Sequence, residues 1–293
     1  MINEPTVLIL GAGASHPYGY PLGPKLKNRM LEQFLNKKTT TRKQYANSGY
    51  GEDLISEFVD VLIVSPHSTI DAILTLRPSL NDIGRFAIAM VLAPCETYTS
   101  LFPPKDWYQY FYHRLHLDDP RIPVPPLSIV TFNYDRSLEY YLHHTVETTL
   151  EGELLESAKE KLARIPIVHV HGQLGPYPEL RYGFHDDTAL IKEASKGIRI
   201  VSDLELDKSQ EFVEAFELMS KASNILFLGF GYDEQNLSRL RMREIRDGKS
   251  IHGTAYELGN RKQVEDYFEG SIELGLGNHP TLSFLRDSMS AII

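Results

Sequence analysis

The chain has 293 residues, 42% of them hydrophobic and 24% charged, enough apolar material for one large domain or a domain carrying a sizeable insertion. Thirty basic residues against 39 acidic ones give a net charge of −9, which opposes nonspecific attraction to nucleic acid or anionic lipid. The single cysteine, Cys95, excludes an internal disulfide and a four-cysteine zinc site, and the longest apolar run, Phe86 to Ala93, falls short of the roughly 18 residues of a membrane span.

The N-terminus lacks the basic flank and apolar core of a signal peptide, so a cytoplasmic protein is expected, with no membrane and no direct nucleic-acid partner. Thr6 to Leu10 reads as a strand, running directly into Gly11-Ala12-Gly13 and Ser15. About 115 residues then pass before the next strand, far more than one crossover helix requires. Five stretches in that gap read as helices: "LKNRMLEQFLNKK", "DLISEFVDVLI", "TIDAILTLRP", "IGRFAIAMVLA" and "WYQYFYHRLHL". We therefore expect a helical subdomain over 36–117, inserted in a single domain spanning 1–293. The proline-rich "DDPRIPVPPL" returns the chain to the sheet, because proline forbids continued helix.

Strands follow at Leu127 to Phe132, Ile167 to Val170, Ile198 to Val201, Ile225 to Leu228 and Thr254 to Leu258. Crossover helices are expected at Arg136 to Val146, Lys208 to Ala222, Glu234 to Arg246 and Arg261 to Phe268. The near-continuous apolar character of several strands suits parallel strands buried on both faces. The expected fold is α/β: a Rossmann-like open parallel sheet with helices on both faces and a helical insertion after the first strand. In "RLRMREIRDGK", Arg239, Arg243 and Arg246 share a helical face interrupted by Glu244 and Asp247, a solvated or partner-facing pattern.

Glycines between a strand and a helix let the backbone approach a phosphate closely. A dinucleotide-binding G-x-G-x-x-G would place glycine where His16 stands, and the Gly-Lys-Ser/Thr of a Walker loop is absent. Three more polar segments end strands at the edge where open parallel sheets bind ligands: Thr131 to Asp135 ("TFNYD"), His169 to Gly172 ("HVHG") and Gly229 to Asn236 ("GFGYDEQN"). His169 and His171 alternate onto one strand face, His169 deeper and His171 at the strand end. No third ligand stands at recognisable spacing, so no metal is expected.

These four segments, in this order, resemble the sirtuin-like family. The resemblance implies that Gly11, Ala12, Gly13 and Ser15 hold the pyrophosphate of NAD. It implies that Asn133 and Asp135, in a segment beginning at Thr131, contact the nicotinamide ribose side, and that His171 acts as base. The glycine loop implicates Gly229, Gly231, Tyr232 and Asp233 on the adenosine half. Protein-deacylating sirtuins carry a four-cysteine zinc module and a "G-I-P-D-F-R" stretch, where this chain has one cysteine and reads Gly19-Tyr20-Pro21-Leu22-Gly23-Pro24. The chain is therefore similar to the bacterial sirtuin-like NAD hydrolases of antiphage defence.

That likeness implies NAD as substrate, cleaved to nicotinamide and ADP-ribose. Catalysis would rest on Asn133, His171 and Asp135, the last stabilising the developing cation or binding the carboxamide region. It further implies control by homo-oligomerisation or by an activating partner chain, such as an ATPase or a nucleotide-sensing protein, with the helical insertion and the helix near Arg239 as candidate surfaces. A zinc-free NAD-dependent protein deacylase and a catalytically silent NAD or ADP-ribose-binding module are the alternatives.

Overall fold

The strand Thr6–Leu10 (β1) is buried along its whole length, its four apolar side chains alternating between two cores. Leu8 and Leu10 pack into one, Val7 and Ile9 into the other, on opposite faces of the sheet. The computed structural model describes residues 2–36, 38–67, 69–104, 106–200 and 209–292. Around β1 stand Leu127–Thr131 (β2), Ile167–His169 (β3), Asn224–Leu228 (β4), Ser250–Gly253 (β5) and Ile272–Leu274 (β6). The order across the sheet is β3-β2-β1-β4-β5-β6, with every neighbouring pair parallel. This is a Rossmann-like sheet whose order reverses between β1 and β4, the switch point at which such sheets open a ligand crevice. Leu10 is opposite both Thr131 and Leu228, so the loops after β1, β2 and β4 leave the sheet at one level.

Between β1 and β2 lie the helices Ala12–Ser15 (α1), Gly23–Asn36 (α2), Lys38–Asn47 (α3), Glu52–Val64 (α4), Ile70–Leu76 (α5), Asn81–Leu92 (α6), Tyr98–Leu101 (α7) and Trp107–Leu115 (α8). Thr69 caps α5 by accepting from the Ala72 amide, and Asp106 caps α8 by accepting from Gln109 at 2.7 Å. The block shares the Leu8/Leu10 core with the sheet through side chains such as Met30, Phe58, Ile73 and Phe86. Helix α2 packs against α3, α4, α5 and α6. The aromatic run of α8 is core material: Tyr108 stacks on Tyr18 with centroids 3.9 Å apart, and the Trp107 indole donates to the Ala14 carbonyl at 2.8 Å.

The remaining helices are Ser137–Thr149 (α9), Gly152–Ala163 (α10), Thr188–Ser195 (α11), Gln210–Lys221 (α12), Glu234–Arg239 (α13), Met242–Ile245 (α14), Arg261–Tyr267 (α15) and Thr281–Ile292 (α16). Among the described residues no helix is long and apolar enough to cross a membrane.

Three expectations are corrected. The segment from Ile198 is no strand: Ile198 makes one isolated antiparallel bridge with Gly172, while Val201 lies outside the described residues, as does Lys208 at the start of the expected α12. The fifth strand is Ser250–Gly253 rather than Thr254 to Leu258, because its polar alternation (Ser250, His252) masks a half-exposed strand nearer the edge. The expected helix from Glu234 to Arg246 is broken, since Arg241 adopts φ 55° between α13 and α14. The break separates its arginines: Arg239 ends α13, whereas beyond the break Arg243 lies over the Tyr267 ring and Arg246 pairs with Glu269 and donates to the Tyr267 carbonyl.

Candidate active site

A cavity of about 570 Å³ opens at the C-terminal ends of β1, β2 and β4, roofed by α5 of the helical block. Its size falls in the range of small-molecule sites. Of the residues singled out in the sequence, Gly11, Ala12, Asn133, Asp135, His171, Gly231, Tyr232 and Asp233 line it, whereas Gly13, Ser15, Thr131 and Gly229 lie behind its wall.

Two of these four, Gly13 and Gly229, join the loops behind the wall. A Cβ on Gly13 would stand 2.8 Å from the Gly229 Cα, and one on Gly229, whose φ is 58°, would stand 2.0 Å from the Ala14 nitrogen. The two loops thus touch backbone to backbone, with the Gly13 amide donating to the Gly229 carbonyl at 2.9 Å. Close approach of protein to protein accounts for these glycines before any phosphate is considered. Gly231 differs, because a Cβ there would meet nothing within 4 Å.

Asn133 leaves β2 by a turn in which its own amide donates to the Thr131 hydroxyl at 3.1 Å. Its side-chain Nδ2 donates to the Gly11 carbonyl and to the Ser15 hydroxyl, both at 3.0 Å. With both amide hydrogens engaged, Asn133 meets a ligand as an acceptor through Oδ1. Asp135 is buried and accepts from the Ser137 amide at 3.2 Å and from the Ser137 hydroxyl, which in turn bonds Tyr108. Burial pushes its carboxyl pKa up, against the pull of hydrogen bonds from Ser137 and Ser15. Beside it the fully buried Arg136 pairs bidentately with Glu96 and donates to the Leu180 carbonyl at 2.7 Å. That pair fastens the end of the helical block to the β2 loop.

The two histidines part company, because β3 ends at His169 and strand alternation stops there. His169 turns to α9: Nδ1 lies 2.9 Å from the Asn133 carbonyl, and Nε2 bonds Glu139. Burial works against its protonation, but the Glu139 carboxylate outweighs it and the pKa rises. His171 instead faces the cavity, with Phe132 edge-on at 5.1 Å and Phe212 at 6.0 Å. Its Nε2 is buried and has no hydrogen-bond partner among the described residues. Burial, aided by the Arg239 charge, pushes its pKa down to about 3, so the imidazole is neutral at physiological pH.

Asp233 caps α13, accepting from the Gln235 and Asn236 amides at 3.1 Å. Tyr232, at φ 52°, donates its hydroxyl to the Thr254 carbonyl at 3.0 Å. Sequence reasoning missed Thr69, Asp71 and Tyr134 on the wall. Tyr134 stands inside the "TFNYD" segment and could have been read there. Asp71 lies in a first helical turn after a capping threonine, which signals a helix start but not a cavity. Among the described residues no cluster of three His, Cys, Asp or Glu side chains could hold a metal ion.

The fold and site define an α/β protein with a ligand cavity at the switch point of a Rossmann-like sheet. Residues 127–268 match the family described as SIR2-like domain, a family that uses NAD. The match supports the sirtuin-like resemblance and is consistent with an NAD-dependent enzyme. It covers Asn133, Asp135, His171 and the Gly229–Asp233 loop; the Gly11–Ser15 turn lies outside it and reaches the same cavity through β1. No curated protein matches the chain.

Proposed function

We propose that the chain is an NAD hydrolase that cleaves the bond between nicotinamide and ribose. The observation that carries this reading is the neutral Nε2 of His171, without a hydrogen-bond partner among the described residues, in a cavity it shares with Asn133. A buried polar atom without a partner costs free energy, and a ribose hydroxyl or the attacking water supplies the missing hydrogen bond. Gly11 and Ala12 lie beneath the pyrophosphate, and Gly231, Tyr232 and Asp233 flank the adenosine half. Gly13, Ser15, Thr131 and Gly229 support them from behind.

The ribose–nitrogen bond breaks with its electron pair passing to the nicotinamide ring, which leaves neutral. Water adds to the ribose carbon and gives up a proton, so NAD⁺ and water yield nicotinamide, ADP-ribose and H⁺. Positive charge develops on the ribose, as in glycoside cleavage. Asn133 Oδ1 orients the ribose or the water, and His171 accepts the proton. In the free site its depressed pKa makes it a weak base; the negative charge of a bound pyrophosphate raises that pKa and so strengthens it. Asp135, held by Ser137 and Ser15, serves as an oriented acceptor for the carboxamide end.

An NAD hydrolase left unchecked would deplete its own cell, so this reading places control in oligomerisation or an activating partner, in keeping with the resemblance to antiphage effectors. The test is chromatography of NAD incubated with the purified chain and with His171→Ala, with and without an acetylated peptide. Nicotinamide and ADP-ribose released without peptide, and lost in the variant, is the expected result. Product formed only with peptide, as O-acyl-ADP-ribose, would overturn it in favour of a deacylase; binding without turnover at any protein concentration would favour a silent module.

A further inference from the structure

The helical block contributes a carboxylate of its own to the cavity, beside those of the sheet-edge motifs. Asp71, in the first turn of α5, lines the cavity with Asn133 and His171. Its Oδ1 stands 3.3 Å from the Tyr134 hydroxyl, which also lies 3.1 Å from the Arg199 carbonyl. One phenolic proton thus serves two acceptors, and the Asp71 carboxylate keeps capacity for a further partner. Arg199 donates its amide to the His171 carbonyl at 2.8 Å, and the Tyr134 ring lies 6.3 Å from the His171 ring. Asp71 is thereby coupled to the His171 end of the cavity rather than to the Asp233 end. The other two carboxylates of the wall are held elsewhere: Asp135 accepts from Ser137 and is assigned above to the carboxamide end, and Asp233 caps α13.

We infer that Asp71 is a catalytic carboxylate of this site: it faces the reacting ribose and stabilises the positive charge that grows there as the bond to nicotinamide breaks. This rests on the NAD-hydrolase reading and adds to it a residue from the helical block, which becomes part of the active site rather than a cover over it. Asp71 takes up no proton; the water's proton still goes to His171 and the electron pair to nicotinamide. Burial raises its carboxyl pKa overall, with the Tyr134 hydroxyl and the Arg239 charge pulling the other way. An ionised carboxylate several ångströms from a developing cation, in a partly buried site, accelerates the step by about a hundredfold.

The test compares the wild-type chain with Asp71→Asn, which keeps shape and loses charge, and Asp71→Glu, which keeps charge. Calorimetry is run with carba-NAD, whose nicotinamide is cationic and whose bond resists cleavage, with NADH, whose nicotinamide is neutral, and with ADP-ribose. The wild type and Asp71→Glu are expected to prefer carba-NAD to NADH. In Asp71→Asn that preference falls about tenfold, ADP-ribose affinity stays within about threefold, and NAD turnover falls about a hundredfold. An undiminished preference together with wild-type turnover in Asp71→Asn overturns the assignment of Asp71 alone. Failure of the wild type to bind any of the three probes overturns the NAD reading and this inference with it. Should the asparagine variant not fold, Asp71→Ser enters the same comparison.

Discussion

The Asn133 side chain donates to the Ser15 hydroxyl at 3.0 Å, across 118 residues of sequence. Through this bond and its partner to Gly11, the turn after β1 fixes the rotamer of the residue that ends β2. Ser15 also hydrogen-bonds Asp135, so one hydroxyl braces both Asn133 and Asp135 of the "TFNYD" segment. Ser15 is therefore a positioning residue. Ser15→Ala should leave the chain folded, with about 1–2 kcal/mol less stability, since one buried hydroxyl and its bonds are lost. NAD turnover should fall by about 10- to 100-fold, because the reacting geometry loosens. A melting curve and single-turnover kinetics check both; unchanged turnover would remove Ser15 from the positioning role.

The two glycines of "GFG" should separate stability from binding. Gly229→Ala requires a left-handed backbone and a Cβ 2.0 Å from the Ala14 nitrogen, so a loss of about 3 kcal/mol or more is expected. Gly231→Ala meets open space and should change stability by no more than about 0.5 kcal/mol. Because Gly231 lines the cavity, its added methyl should instead weaken ADP-ribose binding. Denaturant unfolding and calorimetry on the pair decide; a stable Gly229→Ala would contradict the backbone contact between the loops.

The contrast shows what was legible in the sequence. Glycine spacing and polar residues at strand ends reveal where chain segments must turn tightly at one sheet edge, and the parallel α/β sheet follows from the short apolar runs. They do not reveal whether a glycine yields to a ligand or to another loop, because Gly13 and Gly229 meet only in three dimensions. Strand β6 (Ile272–Leu274) went unread because three residues at an edge carry too little period. Asp71 went unread for a different reason: nothing local marks which face of α5 will roof a cavity built by β2 and β4. Conversely, the deeper position of His169 along its strand was legible, though its partner Glu139 was not.

The His169–Glu139 pair should shape stability against pH. The His169 pKa is raised, so its contribution is full below the unfolded value of about 6.5 and is lost as pH rises through the folded pKa. The Glu139 pKa is lowered despite burial, chiefly by the charge of His169, so its contribution is present above about 4.5 and is lost as pH falls through the folded pKa. The pair is thus worth most between these limits. Glu139→Gln should destabilise the chain by about 1–3 kcal/mol near pH 5.5, with a smaller deficit at pH 9. It should also loosen Asn133, whose carbonyl His169 holds, and so lower turnover. Unfolding midpoints across pH 4–9 test this; a deficit independent of pH would show that shape rather than charge is what the pair supplies.

His171 carries the opposite sign. Its folded pKa, pushed down to about 3, lies below the unfolded value of about 6.5, so the unfolded chain binds the extra proton first. Stability from this residue is intact above about pH 6.5 and drains away as pH falls toward 3. Replacing the imidazole removes that drain: between pH 7 and pH 4.5, His171→Ala should gain about 2–3 kcal/mol relative to the wild type, whatever packing it loses at pH 7. The same burial predicts a kinetic signature. In the free enzyme no imidazole at this position titrates near 6.5, so kcat/KM for NAD should show no acid limb there, whereas kcat, which reports the complex, should show one at higher pH because bound pyrophosphate raises the His171 pKa. Parallel pH profiles of kcat/KM and kcat distinguish the two. A shared limb near 6.5 in both would mean that His171 is solvated and ordinary, and would return the role of base to another group.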